Sequence, residues 1–145
     1  LYANRGALYA MKKDYEKALS DFQKSLKINP RHSNAYLNRA IAYSEMKEYK
    51  LAIADYTSYL NLKGDDPGMY CDRGVAYQNL NQNEEAIKDF DRAIKLEPNN
   101  GLYFMNRSYS YNALGKKDLA MSDAMTAQKL GEKISNEYLE QLKRK

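Results

Sequence analysis

The sequence predicts an all-α protein: four antiparallel helix pairs in series, closed by a terminal helix. Three observations carry this. Aromatic and small residues recur at a fixed spacing of 34 along the 145-residue chain. Within each copy they fall at helical intervals. Turn-forming dipeptides stand where one pair must give way to the next.

The first helix of each pair carries the clearest repeat. "YANRGALY" (Tyr2 to Tyr9) returns as "YLNRAIAY" (Tyr36 to Tyr43), "YCDRGVAY" (Tyr70 to Tyr77) and "FMNRSYSY" (Phe104 to Tyr111). At 100° per residue, Tyr2, Gly6 and Tyr9 lie within about 40° of one another on one helical face. The small residue between the two aromatics lets a second helix approach closely. That second helix supplies Ala18, Phe22 and Ser25 on one face, with Leu19, Leu26 and Ile28 flanking. In the first repeat the two helices are expected near 1–12 and 15–28.

The same logic places the remaining elements. Repeats are expected over 1–33, 34–67, 68–101 and 102–131, within a single domain of residues 1–145. Asn29-Pro30 and Glu97-Pro98 close second helices, while Asp66-Pro67 reads as an N-cap followed by a proline at the first helical position. Gly64 stands where the period calls for proline. The fourth repeat departs most: Ala124 replaces the large aromatic of Phe22, Tyr56 and Phe90, and Gln128 enters the Leu26 column. "NEYLEQLKRK" then restarts in phase, with Tyr138 34 beyond Phe104. The segment 132–145 is therefore expected to be a capping helix, with Tyr138 and Leu142 covering the space that Ala124 leaves. A stack of repeats needs such a cover because each repeat buries its face only against its neighbours.

These columns resemble the tetratricopeptide repeat family, whose signature is W-x-x-L-G-x-x-Y, then A-x-x-x-F, then P, at period 34. The departures are systematic: Tyr or Phe stands for Trp, and Arg stands for Leu. The resemblance implies an α-solenoid wound as a right-handed superhelix, with the first helices lining its concave side. It implies a protein-protein interaction scaffold that binds a peptide or partner protein in that groove.

Composition narrows the alternatives. The chain has 43% hydrophobic and 29% charged residues, a globular balance. No apolar run reaches the ~18 residues of a membrane span. Its net charge of +4 is unevenly spread. Residues 1–33 carry seven Lys/Arg against three Asp/Glu and 102–145 carry eight against five, while the middle is slightly acidic. A nucleic-acid binder would show a continuous basic stripe, so neither nucleic acid nor membrane is the expected partner. One cysteine and one histidine make no metal site and no disulfide. The seven glycines form no phosphate-binding loop, and His32 is expected to be exposed in the Asn29–Asn34 connection. Catalysis and cofactors are not expected. The chain begins at Leu1, inside a repeat, so it is read as a piece of something longer. That leaves open a regulatory or substrate-recruiting segment of a larger enzyme, and localisation leans only to the cytoplasm. Self-association through the repeat ends is a further outcome.

Four columns are candidates for function. Arg5, Arg39, Arg73 and Arg107 each precede an aspartate (Asp21, Asp55, Asp89, Asp123) by 16 residues. These read as internal ion pairs orienting the two helices, with capture of a phosphate or carboxylate as the alternative. Facing away from the partner helix are Ala3, Leu37, Cys71 and Met105, then Ala7, Ile41, Val75 and Tyr109. Exposed apolar groups there suggest a binding surface, unless they pack between repeats. Tyr109 stands out as an aromatic anchor, and Cys71 reads as a small hydrophobe. Between them runs Asn4, Asn38, Asp72, Asn106. A carboxamide can donate to and accept from one peptide unit at once, so repeated amides can hold an extended chain by its backbone. This is similar to the asparagine ladder in the tetratricopeptide superhelix of the O-linked N-acetylglucosamine transferases; the alternative is a hydrogen bond within the fold. A carboxylate clamp for acidic chaperone tails is not expected, because only its middle Asn is matched. The expected peptide-binding groove is thus Asn4, Leu37, Asn38, Ile41, Asp72, Val75, Met105, Asn106 and Tyr109.

Overall fold

A computed structural model describes residues 1–144. Among the described residues there are nine α-helices and no strand. The chain divides into two compact units, Leu1–Asp65 and Asp66–Lys145. The first holds α1 (Tyr2–Met11), α2 (Tyr15–Ile28), α3 (Ser33–Glu45) and α4 (Tyr49–Lys63). The second holds α5 (Pro67–Asn79), α6 (Asn83–Leu96), α7 (Gly101–Ala113), α8 (Lys117–Lys129) and α9 (Asn136–Lys143).

Helix ends follow their sequence signals. Asp14, Asp66, Asn100 and Ser135 cap α2, α5, α7 and α9, each side chain accepting a backbone N–H of the first turn. Pro67 occupies the first turn of α5, where its missing N–H costs nothing. Inside every pair the turn places one residue in the left-handed region: Lys13, Lys47, Asn81 and Gly115, with φ of 60°, 61°, 58° and 72°. That column is 34-periodic, yet only its last two members are residue types that favour such a backbone.

Packing within pairs is a matter of matched sizes. A Cβ on Gly6 would lie 2.8 Å from the Phe22 ring, and one on Gly74 would lie 2.6 Å from Phe90. Both rings are fully buried, each contributing about 1.5–3 kcal/mol. In the second repeat Ala40 and Tyr56 fill the same positions and are also buried. In the fourth, Ser108 and Ala124 leave room, and α9 takes it. Leu142 is buried with Ala120 and Ala124, and Tyr138, Leu139 and Ile134 pack around them. The Tyr138 hydroxyl lies 2.8 Å from Ser108 Oγ, which in turn donates to the Ala120 carbonyl at 2.7 Å. The capping helix is therefore present, though it begins at Asn136 and not at 132, and the last residue of the expected segment lies outside the described residues.

The arginine column is internal. Each guanidinium grips both oxygens of its aspartate, at 2.6–2.9 Å in all four repeats. Each also lies over the leading aromatic of its own helix, 5.5–5.7 Å from the ring centre. The four aspartates are buried. Arg107 adds a second carboxylate, Asp91 on α6, at 2.6 Å.

Candidate functional site

In the first unit the open face of α3 lines up Asn38, Ile41 and Glu45, spaced three and four residues apart and hence on one side of the helix. Across from them α1 presents Ala7, Ala10 and Met11. Between the two helices lies a cleft of about 390 Å³, floored by these small and aliphatic residues and by buried Ala42. Lys13 lines it from the α1–α2 turn and Tyr15 from the start of α2. Ile41 is 42% exposed, and among the described residues the Asn38 side chain makes no hydrogen bond. Asn4, one repeat earlier, is exposed and equally free among the described residues. Leu37 is half-buried.

The second unit treats the corresponding positions differently. Gln78 occupies the column of Ala10, and its amide reaches from α5 to α7. It donates to the Asn106 carbonyl at 2.7 Å and to Ser110 Oγ at 2.8 Å. Those partners stand in the columns of Asn38 and Ala42, the residues that Ala10 faces across the first unit's cleft. Asn106 is also engaged through its side chain, which donates to Cys71 Sγ at 3.3 Å. Val75 and Met105 are half-buried. Tyr109 is 42% exposed but meets Tyr138 of α9 edge-on, ring centres 4.9 Å apart. Asp72 is exposed, and desolvation, followed by the charge of Asp66, pushes its carboxyl above the ordinary carboxylate value. Solvent screens much of that effect at an exposed side chain.

Several expectations need correction. Ala3 and Cys71 do not contribute to an open face: both are 4% exposed, Ala3 being packed against Leu26 and Ala35. Desolvation pushes the Cys71 thiol up to about 11, which leaves it protonated and unreactive at neutral pH. His32 is not exposed; it sits half-buried at the start of α3, its Nδ1 2.8 Å from Ser25 Oγ. Ser25 is itself buried, so this pair closes the connection between α2 and α3. The reading of the sequence overlooked Ala10, Glu45 and Gln78. It searched for residues that repeat, and these stand in columns that change from one repeat to the next.

Comparison with known proteins agrees with the fold. One tetratricopeptide repeat profile matches residues 1–32 and 69–100, and a second matches 21–54, together more than half of the chain. Among curated proteins nothing matches the chain. Solved structures do. MamA AMB-1 is 23% identical with a TM-score of 0.84, over 94% of this chain and 75% of that one. MamA MSR-1 is 22% identical with a TM-score of 0.83, over 89% and 74%. YrrB, described as a TPR protein with an unusual peptide-binding site, is 21% identical with a TM-score of 0.80, over 90% and 67%. At these identities the likeness is one of fold. Helix pairs at period 34, the matched Gly–Phe positions and both profiles lead to one assignment: the chain belongs to the tetratricopeptide repeat family.

Proposed function

We propose that this chain is a protein-interaction module that holds an extended peptide on the open faces of its first helices, residues 1–145 acting as one domain. The observation that carries the reading is the cleft of the first unit, where a free amide, Asn38, stands beside an apolar floor. An amide whose donor and acceptor are both unused can pair with a peptide unit, and the floor can take a side chain. Asn4 and Asp72 extend the polar column, and Leu37, Ile41, Val75, Met105 and Tyr109 supply apolar contacts beside it. Asn106 contributes less than its column suggests, because its side chain already bonds Cys71. The module binds and does not catalyse, it takes no cofactor, and neither nucleic acid nor membrane is its partner.

The test is a combined Asn38→Ala and Asn106→Ala variant. Peptides selected on the wild-type chain from a random displayed library are titrated against both proteins, after circular dichroism has shown equal helicity. Each amide contact is worth roughly 0.5–1.5 kcal/mol net, because the free surface already hydrogen-bonds water. With Asn38 contributing in full and Asn106 in part, the double variant is expected to bind about 2- to 30-fold more weakly. Unchanged affinity would mean that the amides serve the fold alone.

A further inference from the structure

Two positions separated by two repeats decide whether the open face has a hole in it. In the first unit the α1 side of the cleft is Ala10, and across from it stand Asn38 and Ala42. In the second unit the same three columns hold Gln78, Asn106 and Ser110, and Gln78 bonds both of the others. A side chain of this unit thus fills the place that is vacant in the first. Val75 in the column of Ala7 narrows it further.

Charge separates the units as well. Residues 1–65 carry eleven Lys/Arg against seven Asp/Glu, a net +4, while residues 66–145 carry twelve of each, a net of zero. The whole net charge of the chain therefore belongs to the unit that has the cleft. Around the rim, exposed Lys12 and Lys13 follow α1 and exposed Lys47 follows α3, against Glu45 and Glu48. Neither Lys13 nor Glu45 makes an ion pair among the described residues. The lining itself holds one charge of each sign, Lys13 and Glu45, so the field is set by the net +4 of the unit, which favours an acidic neighbour beside whatever enters the cleft.

We infer that the α1–α3 cleft receives one aliphatic side chain of an extended peptide flanked by acidic residues, and that Gln78 shuts the equivalent place in the second unit. The first two repeats then choose the apolar residue, and the last two hold the peptide through Asp72 and the shallow contacts of Val75, Met105 and Tyr109, with no cleft to choose by. This rests on the groove reading above and adds where selection occurs. Size agrees: a cleft of about 390 Å³ is at the small end of ligand pockets, enough for one residue and too small for a folded element. Geometry agrees too. Ile41 and Glu45 stand about 6 Å apart along α3, and alternate side chains of an extended peptide stand about 6.6 Å apart. A residue two positions from the aliphatic one therefore reaches the rim, where an acidic side chain takes the side of Lys13 and not that of Glu45.

The probes are fluorescein-labelled peptides of nine residues, acetylated and amidated so that no terminal carboxylate takes part. One has a central Leu between Asp residues in a Ser/Ala background, the second has Ala for Leu, and the third has Lys for Asp. Against the wild-type chain the first should bind at least tenfold more tightly than either control, and the preference over the Lys peptide should shrink with added salt. Ala10→Gln should remove at least nine-tenths of that affinity. Should this variant lose helicity, Ala7→Leu fills the cleft from the same wall and serves in its place. Gln78→Ala should add amide shift changes at Asn106 and Ser110 in a nitrogen-15 NMR titration, where the wild-type chain shows them only around Ala10 and Ile41. Equal binding of the Leu and Ala peptides, preference for Lys flanks, no binding of any peptide, or indifference to Ala10→Gln would each overturn the inference. If library-selected peptides still respond to the paired asparagine variant while ignoring Ala10→Gln, the groove reading stands and the cleft is not its reader.

Discussion

The two units pack the same helix pairs and end with different surfaces. In the first, small residues at Ala7 and Ala10 keep a cleft open between α1 and α3, in a unit whose net charge is +4. In the second, Gln78 spans α5 and α7, Asn106 is tied to Cys71, and α9 covers the last pair. The periodic columns are shared, so they cannot be what distinguishes the units. The difference lies in columns free to vary because no neighbouring ring fixes their size. The constant positions thus carry the shared architecture, and the inconstant ones set how the two surfaces differ.

The largest expected effect separates the units by their covers. Ending the chain after Leu130 removes Leu142 and Tyr138, whose burial stabilises by roughly 2–5 kcal/mol. It also leaves the Ser108 hydroxyl without its phenol partner. Hydrogen exchange followed residue by residue should show α7 and α8 losing protection while α1 to α4 keep theirs. Apolar surface newly exposed on α8 should also promote association, read by light scattering. A truncated chain that stays monomeric with an unaltered melting curve would show that α9 is an appendage and not a cap.

Next comes the ion-pair column, where the units differ in redundancy. Arg39 and Arg107 are similarly shielded, their side chains 20% and 18% exposed. Arg39 depends on Asp55, whereas Arg107 also holds Asp91. Asp55→Ala should cost on the order of 1–3 kcal/mol, since a partly desolvated cation is left behind. Asp123→Ala should cost about half as much, because Asp91 remains. Denaturant midpoints of the two variants decide it; equal losses would mean the second carboxylate contributes nothing. The column also predicts acid sensitivity. Hydrogen bonding from Arg5, more than its charge alone, holds the Asp21 carboxyl below its usual value. Stability from this group is thus complete above the ordinary carboxylate pKa of ~3.9 and fades as pH falls through the lowered folded value. Asp21→Asn should flatten that part of the acid-unfolding curve.

The sequence makes the architecture more legible than the surface. The helices, the four Arg–Asp pairs and the cap follow from residues that must recur, because a ring at Phe22 or Phe90 admits only a small residue opposite. Periodicity reads such constraints directly. Lys13 and Lys47 hid their left-handed turn, since lysine carries no signal for it and only Asn81 and Gly115 in that column do. The surface was less legible. Helical angles put Ala3 and Cys71 outward, but a neighbouring repeat covers that sector, and an angle on one helix says nothing about where the next helix lies. Likewise the exposed Tyr109 meets Tyr138 of α9 edge-on, a neighbour that its own helix does not announce. Gln78 could have been noticed as the one long amide in a column otherwise of Ala, Ser and Asn, had variation been weighed alongside recurrence.

The smallest expected effect concerns the one break in the amide column. Asp72 stands where the other repeats have Asn, exposed yet crowded enough that desolvation and Asp66 disfavour its charge. A carboxyl whose folded value is raised favours the fold while protonated and loses that contribution as pH rises through the raised value. Asp72→Asn should therefore leave stability unchanged in acid and raise it slightly at neutral pH, by no more than about 0.5 kcal/mol for so exposed a site. Melting curves at two pH values test that sign. Binding sharpens the comparison further. The new amide can donate as well as accept, so the second unit should hold peptide backbone better, with a gain of roughly two- to tenfold for library-selected peptides. The gain should not depend on the peptide's aliphatic residue, because Gln78 still closes the place where that residue could be read. A variant that bound more tightly only when the central Leu was present would assign side-chain selection to the second unit as well, and the division between a choosing unit and a holding unit would be lost.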